Sequence, residues 1–271
     1  MSNELSSTDE LQALVEQLGA QDWNTARAAE TALAGTGEAG IAAAIWGLSH
    51  PNVRVRRGCA GFMDHHGTDA CFAPLRQVAL HDPAPSVRRT AVHSASCQAC
   101  KPCPLTSDLV GLLVEVALSD TNRRIRLNAL WGLHQPQDAR AVAALKSILR
   151  GADPGLQIAA YNALLSQDPT YQGDPVGLHM QVALSSAHKS ERLKALGGLR
   201  RLPQDPRARA ALEQILRTET DPRLRSYAHH ALKHQDPGYK AAYDAQARER
   251  GTAAARARKE QQLLRQSHEE P

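Results

Sequence analysis

Apolar residues recur three and four positions apart along most of this 271-residue chain. This spacing places them on one face of an α-helix. Clear examples are CFAPLRQVAL from Cys71, DLVGLLVEVAL from Asp108 and RAVAALKSIL from Arg140. A turn rich in Asp, Pro, Ser or Asn follows such stretches, and a second helical stretch follows the turn. The pattern therefore predicts pairs of helices joined by short turns.

The second stretches of these pairs repeat one another. They begin HPNVRVRRGCAGF at His50, DPAPSVRRTAVHSA at Asp82, DTNRRIRLNALWGL at Asp120, ADPGLQIAAYNALL at Ala152, HKSERLKALGGL at His188 and DPRLRSYAHHAL at Asp221. The interval of roughly 30 to 40 residues is typical of two-helix repeats. One such unit cannot bury its apolar face alone, so stacked neighbours supply the core. We therefore expect an all-α solenoid.

This arrangement resembles the HEAT-repeat family, especially its short bacterial form related to phycobilisome-lyase-like repeats. The resemblance rests on Val53-Arg54, Val87-Arg88, Ile125-Arg126 and Leu224-Arg225, with Asp82, Asp120 and Asp221 upstream. It covers roughly residues 20–235, while Leu156-Gln157 and the turn at His188 depart from it. It implies a right-handed α–α superhelix of about six to seven helix pairs. It also implies a binding scaffold, with an unknown protein partner on the concave face.

The two ends of the chain differ from the central repeats. Within residues 1–50 we predict divergent helices at Asp9–Leu18, Trp23–Leu33 and Ala39–Leu48, the last two as a pair. Residues 236–271 are rich in Ala, Arg, Gln and Lys and hold few large apolar residues. We therefore predict a solenoid over residues 1–235 and a basic C-terminal helix or tail over residues 236–271.

A group of cysteines is the most chemically distinctive feature. Cys97, Cys100 and Cys103 lie in the segment SCQACKPCP, where the prolines interrupt the helix and allow a turn. Thiolates are soft ligands that suit zinc, which prefers four ligands in a tetrahedron. Alignment of the repeats places His65 and His66 in the neighbouring loop, so we predict either histidine as the fourth ligand of a structural zinc ion.

Other interpretations of these cysteines stay open. An iron–sulfur cluster would require a fourth thiolate, for which Cys71 is the candidate. Unligated thiols and a redox disulfide are further alternatives. Some bacterial HEAT-like proteins have a similar Asp-His loop before a Cys-x-x-Cys-Lys loop, and the matching residues here are Asp64-His65 and Cys97–Lys101. This second resemblance favours a metal site.

Arginines recur at the start of the second helices. We expect the arginine after each apolar residue to pair with turn aspartates, which leaves Arg56, Arg57, Arg89 and Arg124 as candidate contacts for a partner or for phosphates. A nucleic-acid-binding protein, related to DNA repair or DNA glycosylases, is therefore the alternative function. We expect the tryptophans to pack in the core.

Composition narrows the class of protein. Aromatic residues make up 4 % of the chain, which disfavours β-sandwiches and barrels. Apolar runs are too short to span a membrane, and the polar start does not look like a secretory signal. We therefore expect a cytoplasmic protein. The sequence has no phosphate-binding loop, no His-Glu-x-x-His and no nucleophile elbow, so we expect no enzyme activity.

Overall fold

The structure, a computed structural model, describes residues 8–101, 105–134 and 138–267. Its contacts group the chain into two compact units, Met1–Gln172 and Gly173–Pro271. The described residues contain helices and turns but no strands. The prediction of an all-α fold built from helix pairs is therefore confirmed.

The first unit consists of five helix pairs. Its helices are α1 (Thr8–Gln17), α2 (Trp23–Gly35), α3 (Glu38–Gly47), α4 (Val53–His66), α5 (Phe72–His81), α6 (Pro85–Ser96), α7 (Leu109–Ser119), α8 (Arg123–Gly132), α9 (Ala139–Leu149) and α10 (Pro154–Gln167). A short 3-10 turn at Asp69–Cys71 precedes α5. Helix α1 packs on α2 and α3 packs on α4. The three helices predicted before residue 50 are therefore present, but the predicted pairing of the last two is wrong, because α2 pairs with α1 and α3 pairs with α4.

The second unit has two helix pairs and one long helix. Its helices are α11 (Pro175–Ser185), α12 (Lys189–Leu199), α13 (Pro206–Thr218), α14 (Pro222–Gln235) and α15 (Pro237–Ser267). The helix predicted after residue 235 corresponds to α15, and residues 268–271 lie outside the described part. None of the described helices is both long enough and apolar enough to cross a membrane.

Aspartate and proline define where many helices begin. The Asp153 and Asp221 carboxylates accept hydrogen bonds from backbone N–H groups of the first turns of α10 and α14. Proline follows in the first helical position, where no N–H is needed. These caps satisfy backbone donors that the helix itself leaves unpaired. The Asp-Pro pairs of the sequence therefore mark helix starts.

A ladder of arginines joins successive turns of the first unit. The Arg56 guanidinium binds the Asp82 carboxylate at 2.7 and 3.1 Å, and Arg88 binds Asp120 at 2.8 and 3.0 Å. Arg56 Nη1 also donates to the His50 carbonyl at 2.9 Å. The predicted pairing of arginines with turn aspartates is therefore present. Arg56, which the sequence left as a candidate contact for a partner, is one of the paired arginines.

The sequence alignment of the first of these repeats was wrong by two residues. The segment VRVRR offers two Val-Arg pairs, and two positions along a helix differ by about 200° in direction. Val55 is 2 % exposed and faces the core, whereas Val53 is 39 % exposed. Arg56 is therefore the ladder arginine, and the prediction that it is free for a partner is wrong.

Glutamine replaces arginine where the repeat departs from its pattern. Gln157 follows the buried Leu156, and its side-chain amide donates to the carbonyls of Leu149 at 2.9 Å and Gly151 at 2.7 Å. In α14, Arg225 donates to the corresponding carbonyls of Leu216 and Glu219. The irregular repeat thus keeps the carbonyl contacts of its neighbours.

Candidate metal centre

Two second helices position a cluster of metal-binding side chains. Asp64 and His65 lie in the last turn of α4, which ends where Gly67 takes an extended conformation. His93 lies in the last turn of α6, and the backbone leaves the helix at Cys97. Since α4 packs on α6, the two helix ends lie side by side.

The side chains form two groups of three donors that share Asp64. One group is Asp64, His65 and Cys100, and the other is Asp64, His93 and Cys97. Within each group the donor atoms lie within 4.8 Å of one another. Asp64 Oδ2 is 3.5 Å from Nε2 of His93 and 3.8 Å from Nε2 of His65. These distances allow one ion to contact donors from both helices.

One carboxylate oxygen at the centre of the cluster lacks a hydrogen bond. Asp64 Oδ1 is buried and has no partner among the described residues. A buried carboxylate oxygen is costly to leave without a partner, and most such atoms are satisfied. The other oxygen of the same carboxylate, Oδ2, faces the His65 and His93 rings, and a cation bound by this carboxylate would offset the cost.

Lys101 supplies a buried positive charge beside the cluster. Its ammonium donates to the carbonyls of Ser94, of Cys97 at 2.8 Å and of Asp64 at 3.5 Å. Burial lowers the pKa of Lys101, while the neighbouring Asp64 and cysteines oppose that shift. Lys101 therefore fastens the cysteine loop to the end of α4 and balances negative charge there.

A second contact fastens the other side of the cysteine loop. The Asp69 carboxylate accepts hydrogen bonds from the Thr106 backbone N–H at 2.8 Å and from the Thr106 hydroxyl at 2.6 Å. The Thr106 hydroxyl is the main cause of a lowered pKa at Asp69. The loop is thus held on both sides by residues that adjoin the end of α4.

The two described thiols of the loop lie next to each other. A hydrogen bond with Cys100 is the largest cause that raises the pKa of Cys97, to about 11, and burial adds to it. Binding of a metal ion would replace the thiol protons, since thiolates are the ligands. Cys71 is fully buried, and burial raises its pKa as well.

The structure brings together only part of the predicted ligand set. Cys97, Cys100 and His65 lie in the cluster. His66 instead lies 3.5 Å from Glu30, and its ring contacts the Phe62 ring at a centroid distance of 4.6 Å. Cys103 lies outside the described residues.

The cluster contains two donors beyond the predicted ligands, Asp64 and His93. The sequence signal for His93 is its place four residues before Cys97, which puts both on the same side of the chain at the end of α6. The signal for Asp64 is the Asp64-His65 match to the Asp-His loop, although the predicted ligand of that loop is the histidine.

The three tryptophan side chains lie at the surface of the protein and not in its core. Trp23, Trp46 and Trp131 are 72 %, 51 % and 66 % exposed. The expectation that they pack in the core was wrong, because Ala and Leu at adjacent positions, such as Leu130, occupy the core. Arg57 and Arg89 are also exposed, as predicted. These side chains are available to a partner.

Comparisons with known proteins agree with this architecture. Residues 11–96 match the family described as HEAT repeats. The Escherichia coli protein YibA aligns at 17 % identity and a TM-score of 0.51, over 86 % of this chain and 97 % of its own. An archaeal HEAT-like repeats protein from Thermococcus onnurineus aligns at 12 % identity and a TM-score of 0.49, over 85 % and 97 %.

No curated protein matches the chain at a significant level. The identity to YibA is low, so that likeness shows the fold alone. The match over residues 11–96 includes α4 and α6, the two helices that position the donor cluster. Residues 11–96 thus match the HEAT-repeat family, and the helix pairs that follow them continue the same two-helix arrangement.

Proposed function

We propose that this protein is a non-enzymatic binding scaffold in which a zinc ion joins two neighbouring HEAT repeats. Stacked helix pairs present an extended surface to a partner protein, which is the usual use of such solenoids. The observation that supports the zinc ion is the donor cluster around the unpartnered Asp64 Oδ1. The ion would stiffen the contact between α4 and α6.

The donor chemistry favours zinc. Two thiolates, one imidazole and one carboxylate are a soft to intermediate set that suits tetrahedral zinc. We assign Cys97, Cys100 and Asp64 as three ligands and His93 or His65 as the fourth. With two thiolates and one carboxylate the zinc site has a net charge of about −1, which the Lys101 ammonium offsets.

An iron–sulfur cluster has weaker support. Such clusters are usually held by four thiolates. Within the described part of the chain, Cys97 and Cys100 adjoin two imidazoles and a carboxylate, and Cys71 is enclosed in the core. A site with this many oxygen and nitrogen donors fits a single zinc ion better than an iron–sulfur cluster.

A DNA-glycosylase-like role also has weaker support. Such a role needs an acidic group near an aromatic side chain, and Asp120 and Asp138 are the aspartates nearest to Trp131 in the sequence. Asp120 is bound by Arg88, and Asp138 caps α9 and is bound by Arg140 at 2.7 Å. Both carboxylates therefore serve the stacking of repeats, and the proposal remains a closed metal site on a scaffold.

Metal analysis of the purified protein tests the proposed zinc ion. We expect about one zinc per chain, because one tetrahedral ion uses four of the donors. Cys97→Ser and Cys100→Ser should each lose most of the zinc and unfold at lower temperature. His66→Ala is the matched control, and it should keep the zinc because His66 faces Glu30.

Three results would contradict the proposal. Protein purified without a chelator and without bound metal would exclude zinc as a resident ion. Iron with visible absorbance would replace zinc by an iron site. Equal zinc in Cys97→Ser and in the unchanged protein would place the ion elsewhere.

A further inference from the structure

The exposed face of the second helices in the first unit is strongly basic. Helices α4, α6 and α8 contain eight arginines between them, and their only acidic residue is Asp64 of the metal cluster. The acidic residues that pair with these arginines lie mostly in the turns between repeats. The face itself therefore presents cations without acidic neighbours on the same helices.

Several of these arginines are already bound within the protein. Arg56, Arg88 and Arg123 form ion pairs with the turn aspartates Asp82, Asp120 and Asp153, and Arg126 donates to the Ala117 carbonyl. By contrast, Arg57, Arg89 and Arg124 are exposed, and their guanidinium groups form no ion pair or hydrogen bond with any described residue; the backbone N–H of Arg124 donates to the Asn122 side chain in the helix cap. These three guanidinium groups are free to bind a ligand.

The free groups lie in a regular arrangement. Arg57 is two residues after the buried Val55, and Arg89 is two residues after the buried Val87, so they occupy the same register on adjacent helices. Packed helices lie about 8–10 Å apart, which sets the spacing of the two side chains. Together they form a pair of cations across α4 and α6.

An exposed aromatic side chain lies on α8, which also packs on α6. Trp131 on α8 is 66 % exposed and lies six residues after the buried Ile125. Arg57 and Arg89 lie two residues after the buried apolar residue of their helices, and Trp131 lies six residues after its own. The difference of four residues is about one helical turn, so the three side chains lie on the same face of their helices. Tryptophan and arginine are the residues that contribute most to protein interfaces.

We propose that Arg57, Arg89 and Trp131 form the docking surface for an acidic segment of a partner protein. The inference rests on the proposed scaffold role but does not depend on the zinc ion. A segment in the polyproline II conformation has three residues per turn and advances about 3.1 Å per residue, so carboxylates three residues apart lie on one side and would reach both arginines. Such a segment crosses from α4 to α6 and places an apolar side chain on the Trp131 ring.

Charge balance favours an acidic protein segment over nucleic acid. Three of the eight arginines of this face are neutralised by aspartates, and the three free guanidinium groups would make few phosphate contacts. The whole chain has a formal net charge of only +4. A short acidic segment with two carboxylates matches Arg57 and Arg89, the two free cations of the proposed surface, in number.

Fluorescence anisotropy with labelled 12-residue peptides tests this surface on the full chain. The probes carry Glu at every third position and one Trp, with otherwise identical Gln and Lys versions and a single-stranded DNA 20-mer beside them. We expect the Glu peptide to bind at least tenfold more tightly than the Gln and Lys peptides. Arg57→Ala/Arg89→Ala should weaken that binding by at least tenfold.

A matched variant controls for net charge. Arg150→Ala/Arg217→Ala removes two exposed arginines that have no ion pair in the described structure, so it changes the charge equally. It should leave binding of the Glu peptide within about twofold, a difference of about 0.4 kcal/mol. Trp131→Ala should weaken binding without changing its dependence on salt.

The outcomes separate this inference from the proposed function. Equal binding of all three peptides would overturn the acidic docking surface and leave a scaffold of other specificity. Binding of DNA but not of the Glu peptide, lost in Arg57→Ala/Arg89→Ala, would replace the protein partner by nucleic acid. Absence of binding to every probe would also overturn the inference, while zinc content is measured separately.

Discussion

Buried ion pairs between adjacent turns are the residue-scale feature that repeats along the first unit. Arg88 is 8 % exposed, and both oxygens of Asp120 accept hydrogen bonds from it. The same guanidinium donates to the Asp82 carbonyl at 2.9 Å. Because the pair spans two repeats, it fixes their spacing as well as satisfying two charges.

Removal of Arg88 should destabilise the protein. Arg88→Met leaves the Asp120 carboxylate buried without its partner, and loss of one member of a buried pair costs about 3 kcal/mol. Arg89→Met, at the next and exposed position, should change the unfolding free energy by less than about 0.5 kcal/mol. Urea unfolding measures both, and equal effects would contradict the ladder.

Two glycines of α4 should respond oppositely to alanine. A Cβ at Gly58 would lie 2.4 Å from the Leu18 carbonyl oxygen, whereas one at Gly61 would lie 3.8 Å from Thr90 Cγ2. We expect Gly58→Ala to cost about 1–3 kcal/mol through steric overlap. Gly61→Ala should stabilise by about 0.5–1 kcal/mol, because alanine favours the helix. Thermal unfolding that ranks them in the reverse order would refute this.

At the scale of elements, one arrangement joins the starts of successive first helices. Asp108 caps α7, Asp138 caps α9, and the Arg140 guanidinium binds both carboxylates. In the second unit Arg207 binds the caps Asp174 and Asp205 in the same way. The repeated sequence Asp-x-Arg thus serves as a cap and as a link between helices.

This link predicts a dependence on pH. Hydrogen bonds from Arg140 lower the pKa of Asp108 and of Asp138. A lowered pKa in the folded state contributes stability above the unfolded pKa of about 3.9, and that stability is lost as pH falls through the folded value. Arg140→Gln should therefore lower Tm at neutral pH, with a difference that disappears in strong acid.

The control for this dependence is Arg150→Gln, which removes an exposed arginine that has no ion pair in the described structure. Its Tm should follow that of the unchanged protein at every pH. A difference for Arg140→Gln that stays constant from neutral to strongly acidic pH would show that Arg140 acts through packing alone.

At the scale of the molecule, the first unit contains its own continuous core. Buried residues from Val15 to Leu164 form one apolar cluster, with Tyr171 packed against it. The second unit buries residues of its own, among them Leu196 and Leu212. A core closed within residues 1–172 is the property expected of an independent folding unit.

A chain that ends after Gln172 should therefore fold. We expect a helical circular dichroism spectrum and one cooperative unfolding transition, since the apolar cluster is retained. A chain that ends after Asp153 loses the buried Leu156 and Leu164 of α10 and should unfold less cooperatively. Failure of the longer chain to unfold cooperatively would contradict the unit boundary.

The sequence by itself determined the helices, their pairing and many of their starts. Helical periodicity and Asp-Pro caps act within a few residues, so they can be read without knowledge of neighbours. The three cysteines within one Pro-interrupted loop likewise indicated a metal site. Each of these features depends only on residues that are close together in the sequence.

Only the tertiary structure decided which face each residue occupies. The repeat at VRVRR has two alternative registers, and packing selects Val55 and Arg56 because only that register pairs with Asp82. Asp64 meets His93 and Cys97 only because α4 packs on α6. The position of the donor cluster depends on contacts between repeats some 30 residues apart. Helical periodicity shows which face of a helix is apolar, but it does not show which other helix packs on that face.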